Sequence, residues 1–273
     1  MYLNTSDRFT LFRYLSDVLK KKRLILLLAK RDISVKYAQT LLGFGWTVLQ
    51  PLTGMVIFTL FFTKVFPVDA NDIGIPYHLF SYSGFICWIL FSNIISGAGT
   101  SLLQEENLIK KVYFPRIIVP LSKTMNYFFD FLFSFLVLII ISVFYDANVI
   151  WRFVFIMPSL LLILMNSLTI AIWLSALTMR FRDFNHIIPY IINFGIWLTP
   201  VFFPLQILPN NIKFLVELNP MAFSIELFRA SLFGLELPEL SIGVILIQLT
   251  LFVIFVFGIK YFIKIDKLMS DYL

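Results

Sequence analysis

Apolar positions in this chain run on instead of alternating with polar ones. No Asp, Glu, Lys or Arg interrupts residues 37–63, 73–104, 153–179, 184–212 or 240–259. Each stretch is long enough to cross hydrocarbon at roughly 20 residues per helix. A sixth, Leu121 to Tyr145, is broken only by Lys123 near its start and by Asp130. Backbone in lipid must satisfy its own hydrogen bonds, which a helix does. The pattern therefore predicts an all-α membrane protein of six transmembrane helices.

The segments between the runs have patterns of their own. Before the first, Leu26, Ala29, Ile33, Tyr37 and Leu41 recur at three- or four-residue spacing with Lys30, Arg31, Ser34 and Lys36 around them. That is an amphipathic interface helix, suited to anionic headgroups or to a partner surface. Gly43 and Gly45 break it, and Trp46 begins the first span, which Pro51 kinks. Between the second and third spans, Gln104-Glu105-Glu106-Asn107 precedes Leu108-Ile109-Lys110-Lys111, an acid-to-base order that favours a short helix, stopped by Pro115 and Pro120. Its apolar pair, Leu108 and Ile109, predicts docking into something. Between the fifth and sixth spans, Pro200, Pro204, Pro209 and Pro220 punctuate apolar sequence. Two short re-entrant helices, at about 207–218 and 222–233, are expected there. The whole reads as a single domain: a segment 1–42 with the interface helix, a six-helix bundle 44–264 and a tail 265–273.

Composition agrees. Hydrophobic residues make up 59% and charged residues 14% of 273, too few charges for a soluble globule, which carries about a quarter. Eighteen of the 22 Lys and Arg residues fall in alternate connections that include both ends, so both termini are expected in the cytoplasm, which an even number of spans requires. The net charge of +6 is then a signature of cytoplasmic loops and not of nucleic-acid binding. One cysteine, Cys87, allows no disulfide framework.

Catalytic chemistry is not visible. The sequence holds no G-x-x-x-x-G-K-[ST] phosphate loop, and the adjacent Glu105 and Glu106 diverge on a helix, which disfavours paired acid-base work. Aromatic residues reach 18%. Trp46, Trp88 and Trp197 read as interfacial anchors or as flat rings lining a pore, on which sugar faces stack. Asp130, an acid inside a span, is a functional candidate or a polar contact across helices.

Several segments, in order, resemble the permease subunit of polysaccharide ABC exporters of the ABC-2 type. They are Ala29-Lys-Arg-Asp-Ile-Ser-Val-Lys-Tyr37, Thr40-Leu-Leu-Gly-Phe-Gly-Trp46, Asn107-Leu-Ile-Lys-Lys-Val-Tyr-Phe-Pro-Arg116, Arg180-Phe-Arg-Asp183, Thr199-Pro-Val201 and Asn219-Pro-Met221 with Arg229. The resemblance implies a homodimeric channel in the bacterial inner membrane, without cofactor, driven by two copies of a separate ATPase that binds ATP and Mg. Its substrate would be a polyprenol-pyrophosphate-linked polysaccharide, O-antigen first, with teichoic acid or capsule as the alternative. By the same resemblance residues 101–112, with Glu105, Glu106, Asn107, Lys110 and Lys111, form a cytoplasmic coupling helix. Leu42 and Gly43, with Lys30, Arg31 and Lys36 nearby, form a substrate gate, although membrane lipids alone also explain those basic residues. A membrane glycosyltransferase or polymerase is the reading from another class; it calls for an acidic or metal-binding cytoplasmic cluster, absent from the sequence.

Overall fold

A computed structural model describes residues 11–38, 40–64, 73–145 and 153–271, which are helical almost throughout, with no strand among them. Arg8 and Arg152, two of the charges used for orientation, lie outside the described residues. The chain opens with α1 (Leu11–Lys20) and α2 (Lys22–Tyr37), then α3 (Gly45–Lys64) and α4 (Tyr77–Gly99). A short pair follows, α5 (Ser101–Gln104) and α6 (Glu106–Lys111), and then α7 (Ile118–Phe144) and α8 (Phe153–Arg180). The last four are α9 (Phe184–Gly195), α10 (Asn210–Glu217), α11 (Pro220–Phe233) and α12 (Ile242–Asp271). Five of these, α3, α4, α7, α8 and α12, are long and apolar enough to cross a membrane.

The central helix is α4, which packs against α3, α7, α8, α9 and α11. Its sequence explains its place: buried Ser81, Ser83, Gly84, Cys87 and Ala98 are small enough for neighbouring helices to approach closely. By contrast α3 and α12 lie at the periphery with little of their apolar surface buried. Trp173 belongs to this packing: its indole N–H donates to Ile254 O (3.0 Å) and its ring stacks on Tyr261, joining α8 to α12.

The run from Phe184 to Ile212 is not one helix. Twelve α-helical residues and three in a 3-10 turn reach about 24 Å, short of roughly 30 Å of hydrocarbon. Pro200 stops the turn by forcing Thr199 toward extended backbone (φ −119°, ψ 137°). The chain then folds back as a helical hairpin: α10 leads to Asn219, and α11 leaves it. Asn219 caps the start of α11 and ties it to the end of the 3-10 turn after α9. Its Oδ1 accepts from Met221 N (2.9 Å), with Pro220 in the first turn of α11. Its Nδ2 donates to Leu198 O (3.0 Å) and Thr199 Oγ1 (2.7 Å). Asn166, thirteen residues into α8, donates to Ser224 Oγ (3.2 Å), so the hairpin tip lies about 20 Å along that helix from Phe153.

What makes the broken backbone tolerable is Arg229 of α11, which has no exposed surface. Its Nη1 donates to Pro200 O (2.6 Å), and its Nη2 to Val201 O (2.7 Å) and Phe80 O (3.0 Å). Glu226 Oε1 supplies the counter-charge at 3.0 Å from Nη1, and the Phe80 ring centroid lies 3.6 Å from the guanidinium carbon. One cation thus satisfies the Pro200 and Val201 carbonyls, which no helix or strand takes up, and ties them to Phe80 O in the first turn of α4. The guanidinium reaches them past Gly84, where any Cβ would collide with Nη2.

A second, smaller apolar cluster occupies the Gly99 end of the bundle. Tyr14 and Val18 of α1, Leu28 of α2, Ile109 of α6, Phe114 and Phe262 of α12 are buried together there. Tyr14 OH donates to Asp266 Oδ2 (2.8 Å), and Arg116 pairs with the same carboxylate (3.3 Å). The two ends of the described chain therefore meet on one side of the molecule.

Replacing Gly84 by Ala should displace the Arg229 guanidinium and cost about 1–3 kcal/mol, read as a lower melting temperature of the purified protein in detergent. Ser83→Ala is the control: that hydroxyl bonds only to Phe80 O of its own helix (2.9 Å) and its loss should cost under about 1 kcal/mol.

Candidate functional site

Two regions bring the sequence candidates together: an ionic seam at the Gly99 end of the bundle and a cleft beside it. The seam is laid down by α2, which packs along α7. Its packed face keeps Ala29, Ile33 and Tyr37 of the expected stripe and drops the two ends. Leu28 and Ala29 are buried while Leu26 and Leu27 remain exposed, and the helix ends at Tyr37, leaving Leu41 in the following loop. Asp32 and Lys36 lie along the same side and pair with side chains of α7.

Arg31 pairs with Glu105 and, at 2.7 Å, with Asp32. Lys123 of α7 sits 2.7 Å from Asp32 and 3.4 Å from Glu105. Burial works against the charge on Arg31, yet its hydrogen bonds to Glu105 and Asp32 carry it above the ordinary arginine value. Two cations and two carboxylates therefore close a square joining α2, α7 and the connection between α5 and α6. Glu105 is the residue at which the expected coupling helix breaks, with φ −99° and ψ 22°.

The remaining coupling candidates look the other way. Glu106 is on the solvent side, paired with Lys110 one turn on (2.8 Å), and the Lys110 hydrogen bond and charge hold its carboxyl below the usual glutamate range. The pair is therefore complete above the ordinary glutamate pKa and lost as pH falls through the lowered one. Asn107 and Lys111 are exposed too, with Val112 and Tyr113 beyond them. Ile109 turns inward to the chain's own α1 cluster, and Leu108 packs partly against it. The apolar pair thus anchors α6 from within, and the face left for a partner is polar, with Tyr113 at its edge.

One turn further along α2, Lys36 Nζ lies 2.5 Å from Asp130 Oδ2, and Tyr37 OH donates to Asp130 Oδ1 (2.6 Å). The in-span acid is thus paired across helices. Its side chain is 8% exposed, that of Lys36 40%. Both line a cleft of about 110 Å³ between α3, α4 and α7, together with Trp46, Gln50 and Asn93. Of the gate candidates Lys36 lines the cleft; Leu42 is exposed in the loop before α3, and Gly43 turns that loop with a φ of +51° that side chains rarely adopt. Tyr37, Phe44 and Phe133 continue ring to ring (4.2 and 4.7 Å between centroids) and fix that loop on α7. Lys30 is exposed and outside both ion-pair sets.

The three tryptophans separate. Trp88 is buried, packed against Phe91 and the backbone at Gly195, whereas Trp46 and Trp197 are exposed. With Trp197 stand two rings that the sequence reading did not single out. Tyr190 and Phe194 of α9 stack at an interplanar angle of 3°, and they and Trp197, in the 3-10 turn that continues α9, are all more than half exposed. Their spacing of four and then three residues is the signal that identifies a helical stripe.

A family model described as ABC-2 type transporter matches residues 23–233. Among similar proteins, an O-antigen export system permease protein RfbA of Myxococcus xanthus is 26% identical over 231 residues, which cover 84% of this chain and 87% of that protein. An RfbA of the same description from Klebsiella pneumoniae is 24% identical over 255 residues, 92% of this chain and 95% of the relative. The capsule polysaccharide export inner-membrane protein CtrC of Neisseria meningitidis is 26% identical over 227 residues, 81% and 83% of the two chains.

The inward and outward acids should behave differently. Glu105→Gln should destabilise the purified protein by about 1–2 kcal/mol, the scale of a partly exposed hydrogen bond to a charged group, whereas Glu106→Gln should leave the melting temperature within about one degree of wild type.

Proposed function

Since the chain belongs to the ABC-2 type transporter family, we propose that it is the membrane subunit of an ATP-driven polysaccharide exporter. In this family the ATPase is a separate subunit, which accounts for a chain with no phosphate loop of its own. Relatives matched over most of their length are named for O-antigen export. The observation that carries the reading within this chain is the exposed row Tyr190, Phe194 and Trp197 along α9 and the 3-10 turn after it. Flat rings bind the apolar faces of successive sugars without demanding one pattern of hydroxyls. In this reading two copies place their α9 and α3 faces around a shared channel, with Trp46 at its cytoplasmic mouth and Trp88 a packing residue. The cargo is a polyprenol-pyrophosphate-linked O-antigen in the inner membrane. A capsule polysaccharide is the second reading, favoured by the likeness to CtrC.

The Gly99 end is taken as cytoplasmic. The basic residues of α1, α2 and α6 gather there, and the two chain ends meet there. The fifth crossing is then α9 completed by the Thr199–Pro204 segment, and α10 with α11 is a re-entrant hairpin at the outer face. The exposed side of α6, with Glu106, Asn107, Lys110 and Lys111, docks on the partner ATPase. Motion of the ATPase reaches α7 and α2 because Ile109 and Glu105 tie the coupling segment to both.

Deletion of the gene should leave polysaccharide inside the cell, and the wild-type chain should restore it to the surface; normal surface polymer in the deletion strain rejects the exporter reading. In the complemented strain, Tyr190→Ala combined with Trp197→Ala should slow export several-fold at unchanged protein level, on the scale of a base–aromatic stack in single-strand nucleic-acid grooves, about 1–3 kcal/mol. For topology, a cysteine at Asn211 should react with an impermeant maleimide from outside intact spheroplasts. Reaction only after lysis places the hairpin at the opposite face.

A further inference from the structure

The cleft and the ionic seam are joined by one rigid element. The 16-residue helix α2 carries Lys36 and Tyr37 at the cleft, and Arg31 and Asp32 little more than a turn away at the seam. Both oxygens of Asp130 are held by α2 side chains, Lys36 on one and Tyr37 on the other. A carboxylate within an apolar span therefore depends on α2 for its compensation. The ammonium is not equally confined: its side chain is 40% exposed, and a lysine has three donors on a flexible stem. Gln50 and Asn93 add amides to the same cleft with no hydrogen bond to another described residue.

This arrangement is exchangeable. A phosphate oxygen reaching the cleft meets a mobile cation and two free amides, but also the Asp130 carboxylate, which repels it. The conflict is relieved when Lys36 changes partner. Asp130 is then left with the Tyr37 hydroxyl alone, and the hold of α2 on α7 weakens at that point. Because α2 is continuous, the loosening reaches Arg31, and with it Glu105 at the break before α6.

We propose that the Lys36–Asp130 pair is a latch opened by the phosphate-bearing head of the transported lipid, and that its opening raises the hydrolysis rate of the partner ATPase. The proposal rests on the exporter reading and adds to it a sensor: the motor runs when the cleft is occupied. Bulk phospholipid and free pyrophosphate carry the same chemistry, so the test separates them from the substrate.

The experiment measures ATP hydrolysis by the complex of this chain with its ATPase in phosphatidylcholine nanodiscs. A short-chain polyprenyl diphosphate should stimulate the wild-type complex several-fold. Uncharged polyprenol, inorganic pyrophosphate and added phosphatidylglycerol should not. Asp130→Asn should hydrolyse faster than wild type without lipid and respond no further. Lys36→Gln should lose the response, and Lys36→Arg should retain part of it. Equal stimulation by polyprenol, pyrophosphate or phosphatidylglycerol overturns the latch, as does an Asp130→Asn complex with wild-type rate and response. The lipid comparisons use wild-type protein and decide the matter even if a variant does not assemble. A strain that exports normally while its complex ignores the diphosphate removes the latch alone; a deletion strain with normal surface polymer removes the exporter reading with it.

Discussion

Everything at the Tyr77 end of this molecule depends on the satisfaction of a few backbone carbonyls by one guanidinium. A helix that ends inside a bundle leaves carbonyls without partners, and in an apolar setting each costs free energy on the scale of a lost hydrogen bond. Arg229 meets those of Pro200 and Val201, and reaches Phe80 O of α4 as well, with donors spread over a planar fork, which a lysine's single ammonium does not reproduce. Through that cation the stop after Leu198, the return hairpin and the start of α4 become one unit. Gly84 is part of the same device, since the fork occupies the volume of its absent side chain.

The Gly99 end is built on a different principle. Its apolar cluster is small, and α2 makes ion pairs beside it: Arg31 and Asp32 with Glu105 and Lys123, then Lys36 with Asp130. Partly exposed pairs contribute modestly to stability, because the attraction is offset by desolvation and by ordering of long side chains. They are directional, however, and they can change partners. The helix they hold is fixed in register without being fixed in place.

Much of this was legible in the sequence, and the rest was hidden for identifiable reasons. Charge-free runs located α3, α4, α8 and α12, and a run broken only by Lys123 and Asp130 located α7, because length and apolarity are one-dimensional properties. The run from Phe184 to Ile212 reads as another span by the same measure; Pro200 breaks it, and a distant arginine takes up the carbonyls that the break frees. Asn219, Pro220 and Arg229 were visible as residues but not as partners of Leu198 and Val201, since contacts about 20 or more residues apart leave no periodic trace. The α2 stripe holds at Ala29, Ile33 and Tyr37, whereas the pairing of Asp32 and Lys36 with side chains of α7 leaves no trace in apolar spacing. Asp130 was conspicuous as an acid in a span; its partners one helix away were not. Tyr190 and Phe194 went unnoticed among 43 Phe and Tyr residues, although their spacing to Trp197 was there to be found.

The contrast between the two ends determines which of them is free to move. Most of α11 is buried, and its arginine is bonded to backbone that belongs to two other elements, so shifting it alone would strand several carbonyls at once. At the opposite end, Lys36 is partly exposed and has alternatives within its own cleft, and α6 is attached by one isoleucine and an ionic square. A force applied at α6 therefore meets less resistance in turning α2 against α7 than in prying α11 from α4. Displacement begins where contacts can be exchanged and is carried by the long helices toward the end where they cannot. Of the hairpin's two helices, α10, with Ile212, Phe214 and Leu215 exposed and Val216 its buried apolar anchor, is the one whose movement leaves no buried carbonyl behind.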